Sequence, residues 1–266
     1  MLGFWPSDAV LITVQAGLVA GSRVRTPELL LRLEHRMRAS SWSAAWAAIL
    51  PVSLGGTIAL LAVAPGAAEL YTWLALIAVP LLAVLALRDL PGGTITAVAV
   101  AGALFVVAWA VPGLPGQGAA VALTALSCLT LAALLGELVP AWALKTGVVV
   151  MAALDAVLVF GQLLQGPNDH LNSAAPVPGS GLPQLQVAVF GSVLLGYGDL
   201  FVAAVFGYLL SRRLRSGAGS PAPIVAAVAT LTCSAIFDLL FLVVDTLPAT
   251  VPVAIVLLAY EATAFR

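Results

Sequence analysis

Four acidic side chains sit within or at the ends of long apolar stretches: Asp155 in VVVMAALDAVLVFGQ, Asp199 in VFGSVLLGYGDLFVAAVFGYLL, Asp238 in SAIFDLLFLVV, and Glu261 near the last residues. A carboxylate in the middle of a bilayer-length apolar segment costs about 2.5–3.5 kcal/mol to insert, so it marks function and needs a partner. Asp155 and Asp199 supply each other. A helical rise of about 1.5 Å per residue puts Asp155 roughly 21 Å, and Asp199 roughly 18 Å, from the same end of two consecutive antiparallel segments. Two carboxylates that meet in a low-dielectric site cannot both ionise easily. They share a proton, one serving as general base on water and the other as general acid, and they titrate as a coupled unit. That arrangement suits peptide hydrolysis by an aspartyl dyad.

The other ways of hydrolysing a bond in a membrane lack residues. Both histidines, His35 and His170, lie in loops, HExxH is absent, and the single lysine, Lys145, is at a segment edge. Cys128 and Cys233 stand inside apolar segments without CxxC spacing and are read as packing residues. No metal or organic cofactor is expected. Asp238, roughly 24 Å from the end of its segment, shares the level of the dyad. With no glycine opening around it, it is read as supporting the dyad or facing water. Glu261 is expected to be solvated. Plainer readings exist for each residue: a buried polar pair fixing helix packing for Asp155 and Asp199, small-residue packing for Gly196 and Gly198, and a simple helix stop for Pro248. Trp46, Trp73 and Trp109 are read as membrane or packing aromatics.

The elements that must hold these residues follow from composition. The 266-residue chain is 62% hydrophobic and 9% charged, with a mean hydropathy of +1.10. Soluble domains run near 45–50% apolar and about 25% charged, so the chain is expected to be an all-α integral membrane protein. A net charge of −1, without basic runs interleaved with aromatics, gives no sign of nucleic-acid binding. The first twenty residues lack a basic leading region and are read as an anchor rather than a cleaved leader. No hydrophilic linker is long enough for a second domain, so residues 1–266 are read as one polytopic membrane domain.

A spanning helix needs about 20 apolar residues. That rule yields nine segments, approximately 3–21, 41–64, 69–87, 94–112, 118–138, 141–164, 184–210, 222–246 and 248–265. The joins at ELVPAW and DTLPAT rest mainly on a proline. Basic residues give an independent check: Arg23, Arg25, Arg32, Arg36 and Arg38, then Arg88, Lys145, and Arg212, Arg213 and Arg215 all fall at odd-numbered connections. Arg266 ends the chain on the same side. By the positive-inside rule that side is cytoplasmic, which puts the N-terminus and the 165–183 loop outside.

Gly196-Tyr197-Gly198-Asp199 matches the GxGD signature of the presenilin and signal peptide peptidase family of intramembrane aspartyl proteases. LVPAWALKTGVVVMAALDAV (138–157) resembles that family's sixth helix, and DTLPATVPVAI (245–255) its PAL region, with Pro248-Ala249-Thr250 in place of Pro-Ala-Leu. Leu154 stands where the family usually carries an aromatic residue. The similarity covers segments five to nine. It implies a nine-helix bundle of presenilin type, with residues 3–138 as scaffold and 141–265 as the catalytic part. It also implies Asp155 and Asp199 as catalytic residues, and Gly196, Tyr197, Gly198, Pro248, Ala249 and Thr250 as contacts for the substrate.

The same resemblance implies that the bilayer-embedded protein hydrolyses single transmembrane helices, such as signal-peptide remnants or type II anchors, since the outside placement of the 165–183 loop is that of the peptidase branch. A peptide bond within a helix must be unwound before it can be cut. Gly196 and Gly198 allow close backbone approach. Pro248 and Pro252 are expected to keep the start of the last segment out of regular helix, leaving backbone groups for strand addition by the substrate. Two rivals use the same residues. One is a proton-coupled transporter with Asp155, Asp199 and Asp238 as a relay. The other is a prepilin-type GxGD peptidase, although such enzymes usually follow the motif with lysine, whereas Leu200 and Phe201 stand here.

Overall fold

The computed structural model describes residues 4–21, 45–175, 181–215, 222–244 and 246–264. Arg23, Arg25, Arg32, Arg36, Arg38, Asp245 and Arg266 lie outside the described residues. Ten α-helices and one short hairpin make up the described part. They are α1 (Phe4–Gly21), α2 (Ile49–Val63, after a 3-10 turn at Ala45–Ala48), α3 (Ala67–Leu87), α4 (Gly93–Ala110) and α5 (Leu114–Leu138). There follow α6 (Ala141–Phe160), α7 (Gln165–Ser173), β1 (Val187–Phe190), β2 (Val193–Gly196), α8 (Tyr197–Arg215), α9 (Ala222–Phe237, continued by a 3-10 turn at Asp238–Leu242) and α10 (Thr250–Ala264).

Among the described residues five helices are long and apolar enough to cross a membrane: α3, α4, α5, α6, and α9 with its 3-10 extension; shorter apolar helices lie within α1, α2 and α10. The outward surface of α3 is the surface of a helix that could lie against a membrane. Leu70, Leu74, Ile77 and Leu81, spaced three and four apart on one face, are all exposed, while Thr72, Val79 and Ala83 on the other face are buried. An apolar stripe of that length suits hydrocarbon or another apolar surface rather than water.

At the centre stands α8. Leu200 and Val202 to Phe206 are fully buried, so the helix is covered on all sides, by α1, α5, α6, α9 and α10. Its closest approach to α5 depends on Gly136, where any Cβ would run into the Tyr208 ring. Arg212 also donates to the Gly136 carbonyl at 3.2 Å.

Both proline-based joins are real breaks. Val139, forced out of the helical region by the following proline, adopts φ −106° and ψ 135°, and Pro140 opens α6. The chain leaves the 3-10 turn at Leu242 and re-enters helix only at Thr250.

The seventh segment differs from expectation. Its first half is a β-hairpin, not helix: Val187 pairs with Gly196 and Phe190 with Val193 around a Gly191-Ser192 turn. Gly191 takes φ +61°, which a two-residue hairpin turn demands and glycine supplies without strain. Val187 and Val189 in β1 and Val193 in β2 favour the pleated chain. Gln117 on α5 accepts the Gly191 N–H at 2.8 Å and fixes the turn. Asp199 is therefore in the first turn of a helix rather than at the middle of one.

Candidate active site

The hairpin delivers GYGD. Gly196 ends β2, Tyr197 begins α8, and Asp199 follows two residues on, near the positive end of the helix dipole. The Gly196 N–H donates to Asp199 Oδ2 at 3.0 Å, closing a local turn that fixes the carboxylate. A Cβ at Gly196 would lie 3.0 Å from that same oxygen, and one at Gly198 would lie 3.3 Å from Met151 Cε on α6. A side chain at the first position would crowd the Asp199 carboxylate, and the absence of one at the second lets α8 sit close against Met151 of α6. Neither has a positive φ. The Tyr197 hydroxyl shares a 3.1 Å hydrogen bond with Ser127 on α5, holding the start of the helix from the other side.

Asp155 projects from α6 and is 8% exposed. Its Oδ2 accepts a 2.6 Å hydrogen bond from the Thr250 hydroxyl, both groups being buried. Asp155 and Asp199 are close enough to interact electrostatically, and both line one cavity of about 970 Å³. Gly196, Tyr197, Gly198, Ala249 and Thr250 line it too. Pro248 does not. It is buried behind the wall, and its carbonyl accepts the Val251 N–H at 3.2 Å. Pro252, expected outside regular helix, is in the first turn of α10, where the missing N–H breaks no helical bond. Thr246, Leu247, Pro248 and Ala249 are non-helical just before α10, and helix begins at Thr250.

The cavity reaches from the dyad to a polar end lined by Gln162, Gln165, Asn168, Asn172 and Gln186, around α7 and the foot of β1. Water could approach the carboxylates by this polar path, whereas the wall formed by α2 and α3 is largely apolar. Strand β2 runs along the cavity with β1 on one side only.

Asp238 keeps different company from the dyad. It lines the same cavity, yet its carboxyl faces Asp8 of α1 rather than Asp155 or Asp199. Asp8 and Gln15, seven residues apart on one face of α1, are functional candidates that the sequence reading passed over. Gln15 is buried, donates to the Ala249 carbonyl at 3.0 Å and accepts from Ser234 at 3.4 Å, so it ties the Pro248-Ala249 segment to α1 and α9. Buried polar groups at two-turn spacing in an apolar segment were the available signal. Thr250 is likewise more than a stand-in for leucine, because it holds Asp155.

Glu261 is engaged rather than solvated. Its Oε2 accepts from Lys145 Nζ at 2.8 Å and from Arg213 Nη2 at 3.0 Å, and Arg213 also lies 5.3 Å from the Tyr260 ring centroid. The cluster joins α6, α8 and α10, the three helices that carry Asp155, Asp199 and Thr250. Cys128 is buried on α5, Cys233 partly buried on α9, and both are free thiols. Among the described residues no group of three or more His, Cys, Asp or Glu side chains is placed to hold a metal ion. Compared with protein-family profiles, curated proteins and solved structures, the chain gives no match.

Proposed function

We propose that the chain is an intramembrane aspartyl protease of the presenilin and signal peptide peptidase kind, a nine-span bundle that cuts transmembrane helices with Asp155 and Asp199. One observation carries this reading: two aspartates from different helices share a cavity, and each is held by its own donor, Thr250 for one and the Gly196 N–H for the other. In the reaction the ionised member takes a proton from water as the oxygen attacks the scissile carbonyl. The protonated member hydrogen-bonds the carbonyl oxygen, and a proton then reaches the amide nitrogen as the C–N bond breaks. The free side of β2 offers backbone donors and acceptors to an unwound substrate segment, which supports strand addition at β2 rather than at the start of α10.

Orientation follows the basic connections, with the N-terminus outside and the Glu261 cluster at the cytoplasmic end. The polar end of the cavity then opens outward, which suits signal-peptide remnants or type II anchors as substrates.

The test is cleavage of a labelled transmembrane peptide by purified protein in detergent, with and without a hydroxyl-containing transition-state mimic of the scissile bond. Cleavage within the helix, blocked by the mimic and lowered at least about 100-fold by Asp155→Asn or Asp199→Asn, is expected. Near-normal turnover in either variant would refute the dyad. The Asp8 and Asp238 pair in the same cavity favours a second reading, a proton-coupled transporter. It predicts an intact peptide and gradient-driven flux that Asp238→Asn damages as much as Asp199→Asn.

A further inference from the structure

The cavity is acidic beyond what two catalytic carboxylates require. Asp8, Asp155, Asp169, Asp199 and Asp238 line it, and no lysine, arginine or histidine does so among the described residues. Asp155 and Asp199 have donors from the protein. Asp238 is 8% exposed, and its Oδ2 has no hydrogen-bond partner among the described residues. The group facing it is another carboxyl, that of Asp8, itself 6% exposed, and the two carboxyls hydrogen-bond to each other, leaving Oδ2 of Asp238 over. A buried acceptor without a donor is expensive, and two adjoining carboxyls worsen the cost unless a proton or a cation comes between them. Nearby polar groups do not fill this role. The Gln15 amide is spent on Ala249, and the Ser234 hydroxyl points to Gln15.

We propose that Asp8 and Asp238 form a recognition subsite for a basic side chain, the ammonium or guanidinium of a lysine or arginine on the substrate helix. This rests on the protease reading and adds a selection rule to it. A cation entering the cavity takes the place of the shared proton and meets two acceptors already side by side, so it forms charge-assisted hydrogen bonds to both. The subsite belongs to the same cavity as the dyad, and Gln15 links its helices to the segment that holds Thr250. One bound helix can therefore occupy both places, and the basic residue sets which peptide bond reaches Asp155 and Asp199.

The experiment uses 20-residue apolar helical peptides in which one lysine is moved through the positions flanking the cleavage site, each compared with the same peptide carrying norleucine. Cleavage and equilibrium binding are measured separately, with the full-length protein in detergent. At one position or a narrow range of them, lysine is expected to raise both binding and kcat/KM by about tenfold or more. That ratio should fall towards one in Asp8→Asn and Asp238→Asn. Equal binding of lysine and norleucine peptides by the wild-type protein at every position overturns the subsite, and this result needs no variant to fold. A full lysine preference retained in both folded variants also overturns it. Lysine-selective binding that both variants lose, without cleavage of any peptide, supports the subsite while refuting the protease reading.

Discussion

On the proposed protease reading, removing the hydroxyl of Thr250 isolates what its hydrogen bond to Asp155 contributes to turnover. Thr250→Val keeps the branched shape of a side chain that is 1% exposed and deletes only the donor. The 2.6 Å separation is that of a short, well-formed O–H···O bond, and the acceptor is a carboxylate when Asp155 is ionised. A hydrogen bond to a charged group contributes about 1.5–3 kcal/mol. At about 1.4 kcal/mol per factor of ten, the loss is roughly 10- to 150-fold if the whole bond is needed to orient the carboxylate in the transition state. The deficit should appear mainly in kcat, because Thr250 acts on a group that handles protons rather than on substrate affinity. Thr250→Ser, which keeps the hydroxyl, should stay within a few-fold of wild type. The assay is cleavage of a labelled transmembrane peptide at several concentrations, with thermal unfolding in detergent as the control for folding. Full activity in Thr250→Val would refute the reasoning, as would a Thr250→Ser variant as impaired as Thr250→Val.

Gly196→Ala should lower kcat more than Gly198→Ala, since its Cβ would press on the Asp199 carboxylate while the other meets only the flexible end of Met151. The reverse order in the same peptide assay would contradict the assigned geometry. Gly136→Ala, which forces a methyl against the Tyr208 ring, should destabilise the protein by about 1–3 kcal/mol and lower its Tm in detergent. Glu261→Gln should weaken two ion pairs whose side chains are 18–38% exposed, costing about 1 kcal/mol or less after screening, with lower Tm and a smaller effect at high salt. An unchanged Tm in Gly136→Ala, or a salt-independent loss in Glu261→Gln, would count against these contacts.

Much of the scaffold was legible because breaks in an apolar chain are chemical. Pro140 ends one helix and opens the next, and Pro248 sits between the last two, where removing a backbone donor leaves little alternative. The shared level of Asp155 and Asp199 could be counted from helical rise. Azimuth could not. Position along an axis says nothing of which way a side chain faces, so Asp238 shares the cavity of the dyad but stands opposite Asp8 of the first helix. The hairpin was missed for a related reason: in a long run of apolar residues both faces are apolar, and the period of two that betrays a strand vanishes. Its Gly191-Ser192 turn between valine-rich flanks was the surviving cue. Glu261 was misjudged because its partners, Lys145 and Arg213, are distant in sequence and come together only when three helices do.

That three-way ionic contact also defines a fulcrum. It ties α6, α8 and α10 together at one end, while Asp199 lies fourteen residues up α8 from Arg213, about 21 Å away. Any separation of the three helices that leaves the ion pairs intact must pivot about this pin, and a tilt of about 5° over that lever carries Asp199 by about 2 Å. Small angular play at the charged end thus becomes the difference between a carboxylate pair in register and one held apart. The lever arm to Asp155 from Lys145 is shorter, about 15 Å, so the same tilt moves the two acids by unequal amounts. Alignment of the pair is therefore tied to how closely the far ends of the three helices come together.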